Sequence, residues 1–131
     1  MKKKIAILGS TGSIGKSTLE IIKKDKKNFD IILLSANNNY KKLIQQAKEF
    51  NAKNVLIKNE KYYEIVKKSL KRNSTRVFSG EVPIKKIFSK KLDYTMSSIV
   101  GIAGLQPTLE AIKNSKTVAI ANKESIICAW E

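Results

Sequence analysis

Histidine is absent from the chain, and cysteine occurs once, at Cys128. A single thiol excludes an internal disulfide and fits a reducing compartment such as the cytoplasm. With no imidazole to activate it, Cys128 reads as a small buried hydrophobe rather than a nucleophile. There are only two prolines, and no proline-rich linker, repeat or low-complexity tract interrupts the chain. No apolar run is long enough to cross a bilayer. The lysines at residues 2–4 precede a short apolar run and then a glycine turn, which is not the pattern of a signal peptide. Acidic residues are scarce, 11 against 26 basic ones, for a formal net charge of +15. That excess points first to nucleic acid. Yet the basic residues come mostly as scattered pairs, among them Lys23-Lys24, Lys41-Lys42, Lys67-Lys68 and Lys85-Lys86. No helix-turn-helix, zinc knuckle or aromatic-rich RNA-binding strand accompanies them. The expected result is a solvated lysine-rich surface. Its positive field would draw in polyanions such as a dinucleotide or a sugar phosphate.

What the sequence does hold is concentrated at residues 5–17, IAILGSTGSIGKS. A short apolar run meets a glycine-rich turn that opens into a helical pattern. Backbone N–H groups in such a turn, with the positive end of the helix, make a site for a phosphate or diphosphate. Gly9 is expected to allow the tight turn off the strand, Gly12 to let backbone approach the ligand, and Gly15 to let the helix pack closely. The spacing is G-x-x-G-x-x-G, one residue longer than the common dinucleotide fingerprint. Two other readings stand beside dinucleotide binding. Gly15-Lys16-Ser17 would suit the end of a nucleoside-triphosphate P-loop, although that motif wants glycine where Ser10 stands. The turn could also bind nothing.

The chain of 131 residues is long enough for one domain with a real core. Apolar runs expected to be strands fall at about residues 4–8, 30–35, 54–57, 76–78, 93–98 and 117–121, alternating with helical patterns. Tyr40, Leu43, Ile44, Ala47 and Phe50 form one apolar helical stripe with lysines and glutamines opposite, and Asn39 suits its N-cap. Tyr63, Val66 and Leu70 give a weaker stripe. Leu105, Leu109 and Ile112 give another, with Pro107 in its first turn. The pattern predicts an α/β fold: a Rossmann-like, doubly wound, mostly parallel sheet with helices on both faces. Ligands of such sheets sit at the carboxyl ends of strands near the switch point. There the polar clusters at residues 9–15, 35–39, 97–98 and 121–124 are expected to meet.

The second strand selects among cofactors. An NAD site places Asp or Glu at that strand's end, where it binds the ribose 2′-hydroxyl and repels a 2′-phosphate. Here the strand runs into Ser35-Ala36-Asn37-Asn38-Asn39, followed by Lys41 and Lys42. Neutral amides near two cations suit NADPH better than NADH. The same asparagines also read simply as a turn and a helix cap.

Three segments together resemble the 1-deoxy-D-xylulose 5-phosphate reductoisomerase family of the non-mevalonate isoprenoid pathway. They are ILGSTGSIG at residues 7–15, SSIVGIAGLQPTLEAI at 97–112 and ANKES at 121–125. The resemblance spans essentially the whole chain and implies an NADPH-dependent oxidoreductase. It implies that Thr11, Gly12, Ser13 and Ile14 line the cofactor diphosphate. Asn37, Asn38 and Asn39 would lie by the adenosine ribose and its 2′-phosphate, although the family often has glycine and a basic residue at the first two positions. Asn122 and Glu124 would contact the cofactor near the nicotinamide, and Lys123 would reach the phosphorylated sugar substrate. A fixed cation there, with a divalent metal, suits charge building on substrate oxygens. Read without the family, Lys123-Glu124 is an exposed ion pair. The family's metal ligands, one aspartate and two glutamates for manganese or magnesium, belong after ANKES. No metal ligand and no catalytic residue is therefore assigned in this chain. The helical run near Glu124 reaches Trp130-Glu131 without a stop signal. The expectation is an NADPH-binding domain over residues 1–131, the N-terminal part of a longer enzyme, inactive alone and homodimeric when whole. A basic nucleotide- or nucleic-acid-binding module and a degenerate P-loop binder are the competing readings.

Overall fold

The computed structural model describes residues 2–87, 91–98 and 113–120. Six strands, β1 (Lys3–Leu8), β2 (Phe29–Ala36), β3 (Asn54–Ile57), β4 (Arg76–Ser79), β5 (Leu92–Ser97) and β6 (Ser115–Ile120), make one sheet. Their order is β4-β3-β2-β1-β5-β6, and every neighbouring pair is parallel. The chain steps outward from β1 to β4, then returns across β1 to place β5 on its other side. That reversal between β1 and β5 is the switch point of a doubly wound sheet.

Right-handed crossovers decide which face each helix covers. The outward steps carry α1 (Ser13–Lys23), α2 (Tyr40–Phe50) and α3 (Tyr63–Ser69) over one face. There Leu19, Ile22, Leu43, Ala47, Val66 and Leu70 pack on Ile5, Ile7, Ile31, Leu34, Val55 and Ile57. The return crossover carries α4 (Ile84–Ile87) to the opposite face, where Ile87 joins Ala6, Leu8, Leu33 and Leu92. Alternate residues of β1 thus feed two cores, as strand geometry requires. A sheet covered on both sides explains why its central strands read as unbroken apolar runs.

The expected strands are all present, with ends shifted by a residue or two. The expected apolar stripe of α2 faces the sheet, and Asn39 caps that helix, its Oδ1 accepting from the Lys42 N–H at 3.2 Å. In the weaker stripe Val66 and Leu70 are buried and Tyr63 is half-buried. Leu105, Pro107, Leu109 and Ile112 lie outside the described residues. Two features were not legible. The four described residues of α4 are too few to show a period. In β2 the register shifts so that Ile5 pairs with Ile31 but Ala6 with Leu33, leaving Ile32 as a bulge. The buried Asn54 repairs this defect, its Nδ2 donating to the Ile32 carbonyl at 2.8 Å.

Candidate dinucleotide-binding site

β1 ends at Leu8 and Gly9 turns the chain with φ +79°, a conformation that favours glycine. A Cβ there would also stand 3.1 Å from the Ser98 backbone. Gly15 is required for a different reason. A Cβ at that position would stand 2.5 Å from the Gly9 carbonyl oxygen and 2.6 Å from the Ser10 Cα, so only glycine lets α1 press against the turn. Gly12 differs from both. Its φ of −77° and ψ of 173° suit any residue, and a Cβ would meet only the Gly9 oxygen at 3.6 Å. Among the described residues nothing needs glycine at position 12, so the space in front of it is left for something else.

That space faces the start of α1. The Gly12 carbonyl accepts from the Lys16 N–H at 2.9 Å, opening the helix. Among the described residues no side chain caps the first turn, and no acidic residue lies in it. The N–H groups of Ser13 and Ile14 are thus offered outward at the positive end of the helix dipole. Gly12, Ser13 and Ile14 are exposed and Thr11 is half-buried. The arrangement fits a diphosphate: a concave turn, open donors, and a cradle that a side chain at position 12 would fill.

Three neighbours hold the turn in shape. From β2, the Ser35 carbonyl accepts from the Gly9 N–H at 3.1 Å and the Ser10 N–H at 2.8 Å, while Ser35 Oγ also accepts from Gly9 at 3.1 Å. From the end of β5, Ser98 Oγ donates to the carbonyls of Leu8 at 2.8 Å and Gly9 at 3.1 Å. From α2, Gln46 Nε2 donates to the Ser10 carbonyl at 2.9 Å, and Ser10 Oγ donates back to Gln46 Oε1 at 2.8 Å. Ser10 is fully buried and Gln46 is 4% exposed. This corrects the sequence reading, which set the glutamines of α2 on its polar side. Gln45 is exposed, but Gln46 turns inward to meet a carbonyl that the turn leaves unpaired. The sequence offered only its place one step from the apolar stripe, which does not by itself show burial.

The loop after β2 lies on the neighbouring strand. Asn37, Asn38 and Asn39 are all exposed. The Asn37 carbonyl accepts from the Asn59 N–H at 3.0 Å, and that of Asn38 from the Tyr40 N–H at 2.8 Å. Asn38 Oδ1 accepts from Asn59 Nδ2 at 2.8 Å. Tyr40 and Tyr62 stack beside them at 4.5 Å between ring centroids. Lys42 reaches Gln45 at 3.4 Å, and Lys41 is exposed. The structure therefore brings together the glycine turn, the end of β2 and the end of β5, as the switch-point argument expects. Asn122, Lys123 and Glu124 lie outside the described residues.

Among the described residues, titration shifts are found at two ion-paired clusters. A hydrogen bond from Lys23 holds Glu49 below the usual carboxylate range, and Glu49 in turn raises Lys23. Asp93 is lowered first by the Lys4 backbone N–H and then by Lys116. Among the described residues, no group of three or more His, Cys, Asp or Glu could hold a metal. The arrangement is one for binding through amides and hydroxyls.

A family model described as 1-deoxy-D-xylulose 5-phosphate reductoisomerase matches residues 5–130. This chain belongs to that family. A reductoisomerase of Pelagibacter ubique (strain HTCC1062) is 56% identical over 130 residues, covering 98% of this chain and 34% of the relative. One from Phocaeicola vulgatus is 42% identical over 132 residues. A solved reductoisomerase from Zymomonas mobilis in complex with NADPH superposes with a TM-score of 0.91 at 40% identity, over 98% of this chain and 34% of that one. Another, in complex with NADPH, fosmidomycin and magnesium, gives 0.86 at 34% identity, over 95% and 31%. The chain thus spans about a third of the length of the reductoisomerases it matches. The expected fold is the reductoisomerase fold of these solved neighbours, and the P-loop reading of Gly15-Lys16-Ser17 falls with the family assignment. No helix among the described residues is long and apolar enough to cross a membrane.

Proposed function

We propose that residues 1–131 are the NADPH-binding portion of a 1-deoxy-D-xylulose 5-phosphate reductoisomerase. That enzyme converts its substrate to 2-C-methyl-D-erythritol 4-phosphate by skeletal rearrangement and hydride transfer. The observation that carries the reading is Gly12, a glycine that no described residue requires, facing uncapped amides. Thr11, Gly12, Ser13 and Ile14 would cradle the diphosphate, and Asn37, Asn38 and Asn39 would meet the adenosine ribose and its 2′-phosphate. Asn122 and Glu124 are assigned to the nicotinamide end and Lys123 to the substrate. NADPH supplies the hydride when bound. This chain's own residues would bind and orient it: the turn would fix its central diphosphate and the β2 loop its adenosine end. The divalent metal, manganese or magnesium, is assigned to ligands outside this chain. The proposed setting is a cytoplasmic homodimer that acts on a phosphorylated sugar and binds neither nucleic acid nor membrane.

Calorimetric titration of the chain with NADPH tests the reading. Saturable binding is expected, and Gly12→Val is expected to abolish it while leaving the circular dichroism spectrum intact. Folded protein that binds no NADPH at millimolar concentration overturns it.

A further inference from the structure

The asparagines that end β2 do not present interchangeable polar atoms, because backbone donors fix how two of them are turned. The Lys61 N–H can only donate, so the Asn59 atom 3.1 Å from it is Oδ1. The other end of Asn59 is then its NH2, which lies 2.8 Å from the Asn38 side chain. A donor there requires an acceptor, so Asn38 turns Oδ1 inward and keeps its own NH2 outward. Asn39 is set the same way, its Oδ1 taken by the Lys42 N–H at 3.2 Å. Exposed amides at 38 and 39 thus offer donors, with Lys41 exposed close by.

We infer that Asn59, on the connection from β3 to α3, is a specificity-determining positioning residue that holds the end of β2 as a donor surface selecting NADPH over NADH. The inference rests on the proposed function, which sets the 2′-phosphate beside residues 37–39. A 2′-phosphate presents acceptors and needs donors, whereas a bare 2′-hydroxyl is best met by an acceptor such as a carboxylate. Asn59 also holds the loop by its backbone, donating to the Asn37 carbonyl at 3.0 Å beside a Lys58 to Ala36 bond of 2.9 Å. Those bonds survive any change of its side chain, so a substitution acts on the orientation of Asn38 and leaves the loop attached.

The experiment is calorimetric titration of the full chain with NADPH and with NADH, for the parent, Asn59→Leu and Asn59→Asp. Asn59→Leu frees Asn38 without adding charge. NADPH affinity is expected to fall about tenfold, the worth of one hydrogen bond to a charged group, with NADH affinity unmoved. Asn59→Asp keeps an acceptor for Lys61 but turns the Asn38 NH2 inward and its oxygen outward, so the NADPH-to-NADH ratio falls further. Adding Asn38→Lys to Asn59→Asp raises the ratio again, because the new lysine offsets the added carboxylate and presents donors only. Should Asn59→Leu fail to fold, the Asn59→Asp and double variants carry the test. Equal losses for both cofactors, an unchanged ratio, or a parent that does not discriminate overturns the inference. A parent that binds neither cofactor overturns the proposed function beneath it.

Discussion

A methyl group added at position 15 and one added at position 12 meet different surroundings, although the two glycines are three residues apart in one turn. At Gly15 the new atom would collide with backbone of Gly9 and Ser10, which no rotamer change relieves. Gly15→Ala should therefore destabilise the fold by about 1–3 kcal/mol, the usual cost of overpacking, read as a lower urea midpoint. At Gly12 the added Cβ makes one ordinary contact. Gly12→Ala should leave the midpoint within about 0.5 kcal/mol of the parent while weakening NADPH binding. Equal thermal stability for both variants would contradict this division of labour. Gln46 belongs at the same scale. Replacing it with leucine strands the Ser10 carbonyl in a site closed to water, at a cost of about 1–3 kcal/mol. NADPH affinity should drop as well, because the turn loses its hold on α2. The roles of Gly9 in the tight turn and of Gly15 in close packing could be read from spacing. The partners of Ser10 could not, because a glutamine beside an apolar stripe looks like the edge of a solvated face until the turn's unpaired carbonyl is located in space.

At the scale of elements, the lower edge of the sheet is tied by Asp93. Its carboxylate accepts from the Lys4 N–H of β1 at 2.8 Å and pairs with Lys116 of β6 at 3.3 Å. Both contacts favour the ionised form, so the folded-state pKa lies below that of the unfolded chain. An unfolded state that binds the proton more readily gains on the native state as acid is added. This contribution is complete above the ordinary aspartate value and is lost as pH falls through the lowered one. Urea midpoints measured from pH 6 downward should decline less steeply for Asp93→Asn than for the parent, and parallel curves would refute the assignment. Glu49, held by Lys23 at 3.0 Å between α1 and α2, acts in the same direction. The strands and the α2 stripe were legible because parallel strands buried on two faces and a helix covering them leave strong, simple periods. The bulge at Ile32 was not. A continuous run of apolar residues carries no mark of which one has slipped, and only the pairing with β1 reveals it.

For the whole molecule, the formal charge of +15 bears on approach rather than on fold. Several lysines are neutralised locally by Glu49, Asp30, Glu81 and Asp93, and the remainder set a diffuse positive field. Stopped-flow association of NADPH should therefore slow as ionic strength rises, more steeply than for NADH, which carries about two fewer negative charges at neutral pH. Identical salt slopes would show that the field plays no part in capture. The layout that makes this site was foreseeable from strand–helix alternation, which places the reversal beside β1. What alternation could not supply was the far side of the turn. Ser98 is separated from Leu8 and Gly9 by 90 and 89 positions, yet clasps both carbonyls. That separation sets an order of events during synthesis. A nascent chain that has emerged only through β4 already possesses β1 to β4 and the three helices above them. It still lacks the clasp, so the turn after β1 has its full set of partners only once β5 has been made.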